Sequence, residues 1–510
     1  MSLICVPVCP KKIDEIPETM ARAAAVADII ELRLDCLGDV DAALRFLGTD
    51  WKKIDRPAIL TMRSPEEGGR ALLDYTERRR FWLSCPRLPE QTYVDLEMDM
   101  VRDLSADNQR LSFHLSRVIS SHHRAGSENP DLIYERMTAS SASVLKLAIE
   151  AKDATDCIPI LRLLERAHRE RRELIAISMG EAGVMTRILG PSLGSFLTYA
   201  SLDEESKTAA GQITAQELRE VYRIDQINRE TQIFGIIGNP VKHSLSPQIH
   251  NAALAAAKLN AVYIPFQVND TNEFMRRMVQ PRSREIEWNL RGLSVTAPHK
   301  LTVMNRLDWI EPAAKEIHAV NTIVVRDDEL HGYNTDVIGF IAPLRMRLGL
   351  LKNVRCAIIG AGGAARAALC ALAADGAQVE LFVRDPSRTA YIAHQFHAKC
   401  NSMDHATFHH FDIVINATPM GTRGEHEAET PAVAEQLRGV RLAYDLVYNP
   451  TETRFIAEAR EAGCETLGGI EMLLTQALEQ FKLWTGREPG LDAMRAAASK
   501  SLVEMPLINS

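Results

Sequence analysis

The chain has 510 residues, 46% of them hydrophobic and 25% charged, which suits two to four soluble globular domains and excludes a low-complexity or fibrous protein. A formal net charge of −8 excludes a global pull toward nucleic acid or an anionic membrane, so an anionic small molecule must be caught by local Arg, Lys and hydroxyl groups. Nine scattered cysteines with no CxxC pair predict reduced thiols rather than a disulfide frame or a metal site. No apolar run reaches the ~18 residues of a membrane span. The N-terminus shows no leader pattern, so a cytoplasmic protein with no membrane partner is expected.

The first 200 residues alternate short apolar runs with longer amphipathic stretches such as Glu165–Glu173. Eight runs read as buried strands: Leu3–Val8, Ile29–Leu34, Ala58–Arg63, Tyr93–Glu97, Arg117–Ser121, Val144–Ile149, Leu174–Met179 and Ser195–Tyr199. Strand–helix alternation implies parallel pairing. Eight such units fit a (β/α)8 barrel, with an open doubly wound sheet as the alternative. The C-terminal ends of these runs are polar, as catalytic ends of barrel strands are. They carry Glu31 and Arg33, then Arg63 and Glu67, then His122 and His123. Lys146 lies inside the apolar run Val-Leu-Lys-Leu-Ala. A strand lysine often snorkels from an edge. Buried beside other cations, its amine would instead become nucleophilic toward a ketone.

A polar connector, Ala215–Thr231, places a boundary near Glu230. The strand Ile233–Ile237 then opens a second α/β region. Four polar clusters follow: Ser244 and Ser246 in a loop before a helix, Thr296 and Lys300 beyond a strand, Asn321, and Asp336. Singly each reads as a turn or a helix cap. Together they suggest a pocket for a polyhydroxylated ligand. A third region begins at Val354–Ile359, which runs into Gly360-Ala361-Gly362-Gly363-Ala364-Ala365 and a helix of small residues to about Ala374. That spacing allows a tight turn, close approach of backbone to a pyrophosphate, and a helix N-terminus facing the phosphates. After the next strand, Gln378–Val383, come Arg384, Asp385 and Arg388. The two cations favour NADP, and Asp385 keeps NAD open.

From Ile233 to the helix carrying Gln476, the motifs His-Ser-Leu-Ser-Pro, Ser-Val-Thr-Ala-Pro-His-Lys, Ala-Val-Asn-Thr, Asn-Thr-Asp, Gly-Ala-Gly-Gly-Ala-Ala-Arg, Asn-Ala-Thr-Pro-Met-Gly and Tyr-Asp-Leu-Val-Tyr occur in the order found in shikimate dehydrogenases. That resemblance implies Lys300 and Asp336 as the catalytic pair. It implies Ser244 and Ser246 on the substrate carboxylate, Thr296, Asn321 and Gln476 on ring hydroxyls, and Tyr448 lining the pocket. Gly360–Ala364, Arg384, Arg388, Thr418 and Met420 would bind the cofactor. Ser294 stands where many bacterial relatives have Asn, and Val-Arg-Asp replaces the frequent Asn-Arg-Thr.

Leu3–Thr214 resembles type I 3-dehydroquinate dehydratase through Glu-Leu-Arg-Leu-Asp, Arg-Ser-x-x-Glu-Gly-Gly, Val-Ile-Ser-Ser-His, Lys-Leu-Ala, Ser-Met-Gly-x-x-Gly-x-x-x-Arg and Ala-Ala-Gly-Gln. The resemblance implies Lys146 as the imine-forming nucleophile and His122, preferred over His123, as base and then acid. Arg187 would clamp the carboxylate, with Glu31, Arg33, Arg63, Glu67, Thr208 and Gln212 around the substrate and His114 structural. The plant-like fusion implies a division into 1–220, a linker at 221–231, a substrate domain at 232–338 plus 472–510, and a cofactor domain at 339–471. It implies dehydration of 3-dehydroquinate to 3-dehydroshikimate, then NADPH-dependent reduction to shikimate, with no metal; the oligomeric state stays open. Two alternatives stand beside it. One is a quinate/shikimate dehydrogenase with an inert barrel. The other is a ligand-sensing regulator on the same domains, which would be expected to lose Lys146, His122, Lys300 or Asp336.

Overall fold

Eight short runs in the first 200 residues form one parallel sheet, and its ends meet. In this computed structural model, which describes residues 3–51, 56–106, 117–123, 126–140 and 142–504, the strands are β1 (Ile4–Val8), β2 (Ile29–Arg33), β3 (Ala58–Thr61), β4 (Thr92–Glu97), β5 (Arg117–His123), β6 (Val144–Glu150), β7 (Leu174–Met179) and β8 (Thr198–Tyr199). β1 to β7 pair in sequence order, and β8 pairs with β1. A parallel bridge between Leu174 and Ser195 joins β7 to the segment before β8 and closes the barrel. The open-sheet alternative is thereby set aside. The eighth strand is shorter than the sequence suggests. His114 lies outside the described residues.

Register makes the barrel interior a two-storey object. Ile29, Ile59, Val118, Val144, Ile175 and Leu197 fill its floor. Two residues further along, on the same face because strand side chains alternate, stand Glu31, Thr61, Ser120 and Lys146, with Asp95 on β4. The apolar layer closes the bottom and the charged layer faces the C-terminal end, where the loops lie.

Two expectations need correction. The helical stretch placed at Glu165–Glu173 is the helix Ile158–Arg169. It stops there because Arg171 takes a left-handed turn, φ 54°. Cys9 and Cys36 are not free thiols; they form a disulfide. β1 and β2 are parallel neighbours, so residues just past both strand ends become adjacent although 27 positions apart. The other seven cysteines are free.

The connector folds as a short helix, Ala215–Glu220, and a single turn at Ile224–Gln226. A mixed sheet follows: β9 (Gln232–Gly238), β10 (Ala261–Gln267), β11 (Leu290–Val295), β12 (Trp309–Ile310), β13 (Thr322–Arg326) and β14 (Glu329–Tyr333). A third, all-parallel sheet contains β15 (Arg355–Ile359), β16 (Gln378–Val383), β17 (Lys399–Ser402), β18 (Ile413–Asn416), β19 (Leu442–Asp445) and β20 (Glu465–Leu467), in the order 17-16-15-18-19-20. That order reverses between β15 and β18, the crevice where doubly wound sheets bind ligands. The chain then returns through helices Ile470–Thr485 and Leu491–Glu504 to cover the mixed sheet. Helix Asp336–Leu348 enters the third sheet's domain and crosses Ile470–Thr485 at Gly339, where a Cβ would lie 2.8 Å from that of Gln476. Among the described residues, no helix is long and apolar enough to cross a membrane.

Candidate active sites

Lys146 projects from the middle of β6 into the charged storey, 5% exposed. Its Nζ donates to Asp95 Oδ2 at 2.9 Å, lies 3.4 Å from Glu31 Oε1, and faces the Tyr199 ring at 4.5 Å from the centroid. The expected cationic neighbours are therefore screened by two carboxylates. Arg63, beyond β3, crosses the barrel to Asp95 at 2.7 Å, Ser120 at 2.6 Å and Glu67 at 3.2 Å. Burial raises the Asp95 carboxyl, but Arg63 and Lys146 overcome it and hold the group well below the usual range. Glu97 accepts from Ser64 N–H at 2.7 Å and pairs with buried Arg78, which anchors the loop after β3. Arg33 donates through Nε and Nη2 to the two carboxylate oxygens of Asp35, each contact 2.8 Å.

β5 decides between the two histidines. His122 shares the inward face with Ser120, and its Nδ1 lies 2.8 Å from Glu67 Oε2. With Glu67 ionised, Nδ1 carries the proton and Nε2 is the free base. Burial, then Arg63 and Lys146, push the His122 pKa well below its ordinary 6.5, so the ring is neutral at pH 7. His123 points the other way, 2.5 Å from Ser121 Oγ. Arg187 is 2% exposed, and among the described residues its side chain has no carboxylate partner. Its Nη1 reaches only the Tyr199 carbonyl at 3.4 Å, and Nε makes no hydrogen bond. Burial pulls this guanidinium down to about 10. A charge so placed is costly unless a ligand anion completes it. Thr208 and Gln212 bond one another, Thr208 N–H to Oε1 at 2.8 Å, in a loop resting on the end of β7.

The second site is a cavity of about 170 Å³ at the edge of the mixed sheet. Ser244, Ser246, Thr296, Lys300, Asn321, Asp336, Tyr448 and Gln476 all line it, drawn from positions as far apart as 244 and 476. Lys300 Nζ donates to Asp336 Oδ2 at 2.6 Å, and Asn321 Nδ2 donates to the other oxygen at 2.8 Å. Gln480 accepts from Ser294 at 2.8 Å and donates to the main-chain carbonyl of Asn321 at 3.2 Å, fixing that residue's backbone from behind. Ala364, from the glycine-rich turn, closes the cavity, and a Cβ on Gly363 would lie 3.3 Å from Lys300 Cδ.

Family models match in the same order as these sites: type I 3-dehydroquinase over residues 4–229, the shikimate dehydrogenase substrate binding domain over 236–323, and the shikimate 5'-dehydrogenase C-terminal domain over 469–498. The bifunctional 3-dehydroquinate dehydratase/shikimate dehydrogenase of Arabidopsis thaliana is 33% identical over 95% of this chain and 82% of its own length. The chain belongs to the bifunctional 3-dehydroquinate dehydratase/shikimate dehydrogenase family. The shikimate biosynthesis protein AroDE of Chlamydia pneumoniae is 28% identical over 94% of this chain and 95% of its own. A solved shikimate dehydrogenase in complex with NADP+ superposes with a TM-score of 0.51 at 36% identity, covering 54% of this chain and 97% of that one.

In the shikimate dehydrogenase half, the residues at the sheet's switch point fit a dinucleotide. Helix Gly363–Ala374 has no side-chain cap at Gly362, so its first N–H groups are open to a phosphate. Gly360 adopts φ 112°, and a Cβ there would sit 2.9 Å from the Ala417 carbonyl, so only glycine lets β15 turn this closely. Across the crevice, Asn416 Oδ1 accepts from Thr418 N–H and hydroxyl at 3.0 and 2.7 Å, and Met420 N–H donates to Thr418 Oγ1. The Asp385 carboxylate is engaged by its own helix: it caps Pro386–Gln395 through Ser387 N–H at 3.1 Å and pairs with Arg388 at 3.2 Å. Arg384 and Arg388 are both exposed. In the dehydratase half, sequence reasoning missed Asp95, Glu97, Arg78 and Tyr199, and in the other half Gln480. Each lies within an ordinary-looking strand or helix, and only barrel closure or helix return brings it to a site. Asp95 carries the one legible signal, a carboxylate in the apolar run Tyr-Val-Asp-Leu.

Proposed function

We propose that Lys146 forms the imine with 3-dehydroquinate, and that Lys300 with Asp336 then reduces the product, 3-dehydroshikimate, with NADPH. The observation that carries this reading is the pair of enclosed amines, one at each site, each hydrogen-bonded to an aspartate.

In the barrel, the Lys146 amine adds to the ketone carbon. An N–H proton and one further proton leave with the oxygen as water, and the iminium remains. That cation acidifies the adjacent C–H; His122 Nε2 takes the proton and returns it to the departing hydroxyl. Water then releases 3-dehydroshikimate. Arg187 holds the carboxylate with paired hydrogen bonds. Glu31, Arg33, Arg63, Glu67, Thr208 and Gln212 order the hydroxyls and the charge network.

In the second cavity, Ser244 and Ser246 take the carboxylate, and Thr296, Asn321 and Gln476 hold hydroxyls. NADPH, held by Gly360–Ala364, Arg384, Arg388, Thr418 and Met420, supplies hydride when bound. Lys300 gives its proton to the developing alkoxide, and Asp336 keeps Nζ aimed. The decisive assay supplies 3-dehydroquinate and NADPH together: shikimate forms with one NADPH oxidised per turnover. Oxidation from 3-dehydroshikimate alone would leave the barrel inert.

Two further outcomes are expected. The acid limb of dehydratase kcat/KM falls below pH 6.5, because His122 must be neutral to act and its folded pKa is depressed. The same shift costs stability as pH drops through about 6.5, where the unfolded chain, but not the folded one, takes up the proton. Asp385→Ser keeps a helix cap and frees Arg388. The kcat/KM for NADH is expected to stay within about twofold of the parent and that for NADPH to hold or rise; a roughly tenfold fall in NADH kcat/KM, on the scale of about 1.4 kcal/mol, would instead make Asp385 a ribose ligand.

A further inference from the structure

The loops at the catalytic end of the barrel do more than surround Lys146. The turn after β7 carries Glu181, whose Oε1 meets Lys242 Nζ at 2.9 Å. Lys242 belongs to the loop that leads from β9 to Ser244 and Ser246. A second tether fixes the start of that loop. Asn239 Nδ2 donates to Asn269 Oδ1 at 2.8 Å. Asn269 in turn donates through N–H to Asp153 Oδ2 at 2.6 Å and through Nδ2 to the Lys152 carbonyl at 2.7 Å. Asp153 and Lys152 follow β6, the strand of Lys146. The serine loop is thus tethered to loops of the other enzyme at its start, through Asn239, and at its middle, through Lys242. The Glu181 carboxylate also favours the charged form of buried Arg187.

We propose that Glu181 and Lys242 are a positioning pair: through their contact the barrel sets the loop that receives the substrate carboxylate in the reductase pocket. The pair touches no reacting atom. It rests on the assignment of Ser244 and Ser246 to that carboxylate. Its effect belongs to substrate binding, since Lys300 is held by Asp336, and Asp336 by Asn321, rather than by this loop.

The test uses the full chain and steady-state oxidation of shikimate with NADP+. For Lys242→Glu, which sets two carboxylates face to face, KM for shikimate is expected to rise about fivefold or more, with kcat within about twofold, the size of a partly exposed ion pair lost and reversed. Glu181→Lys combined with Lys242→Glu restores the attraction and should bring KM back to within about twofold of the parent. Lys242→Gln leaves Arg187 its Glu181 neighbour, and should raise KM about twofold to fivefold if the reversal does not fold. An unchanged KM in the single variants, or a double variant no better than Lys242→Glu, would overturn the pairing. Ser246→Ala separates this from the underlying assignment: an unchanged KM there removes the carboxylate role of the serines, whatever the pair does.

Discussion

Replacing Lys146 with alanine should abolish dehydration, with kcat falling on the order of 10⁴-fold or more, while reduction of added 3-dehydroshikimate continues at the parental rate. The size follows from the chemistry: without an iminium, the proton must leave a carbon activated only by a ketone. The fold should tolerate the change, because Arg63 still satisfies Asp95 at 2.7 Å and Thr61 still donates to Glu31 at 2.6 Å. Borohydride added with 3-dehydroquinate should leave a mass adduct on Lys146 in the parent and none in the variant. His122→Ala supplies the contrast: it should slow turnover about 10²- to 10⁴-fold yet still trap the adduct, since the imine forms before the base acts. Parental turnover by Lys146→Ala would end the imine mechanism.

Lys300→Ala should lower reduction about 10²- to 10⁴-fold and leave dehydration intact, so that 3-dehydroshikimate accumulates from 3-dehydroquinate. Among the described residues, the Lys300 amine has one direct polar partner at the pocket, Asp336 at 2.6 Å, and that carboxylate is oriented by Asn321 at 2.8 Å. Asp336→Asn should therefore share most of the loss. The ring hydroxyls would still be met by Thr296, Asn321 and Gln476, so KM should move less than kcat. Loss of dehydration in Lys300→Ala would mean that the two centres are not separable, which the geometry of two walled sites opposes.

Much of this is legible in the sequence, for local reasons. Strand runs such as Leu174–Met179 and Gln378–Val383 appear where their patterns put them, because buried parallel strands and glycine-rich turns write their geometry into consecutive residues. Partnership across the sheet is not written that way. Asp95 and Lys146 are 51 positions apart, and nothing near either says that they touch. Cys9 and Cys36 looked unrelated until strand pairing aligned them. Asp385 followed a rule for ribose binding in type and position, yet its own helix N-terminus claims the carboxylate. The two histidines were separated only by which face of β5 each occupies.

Gly339, at the crossing of helices Asp336–Leu348 and Ile470–Thr485, has a mechanical consequence. The third sheet is a guest: the chain leaves its host through one of these helices and comes home through the other. Both attachments are locked together where only a hydrogen fits between them. Any opening of the guest must therefore pivot about this single crossing rather than slide or peel. The two walls of the reductase cavity, one carrying Lys300 and the other Ala364 and Tyr448, would part like the covers of a book whose spine stays sewn.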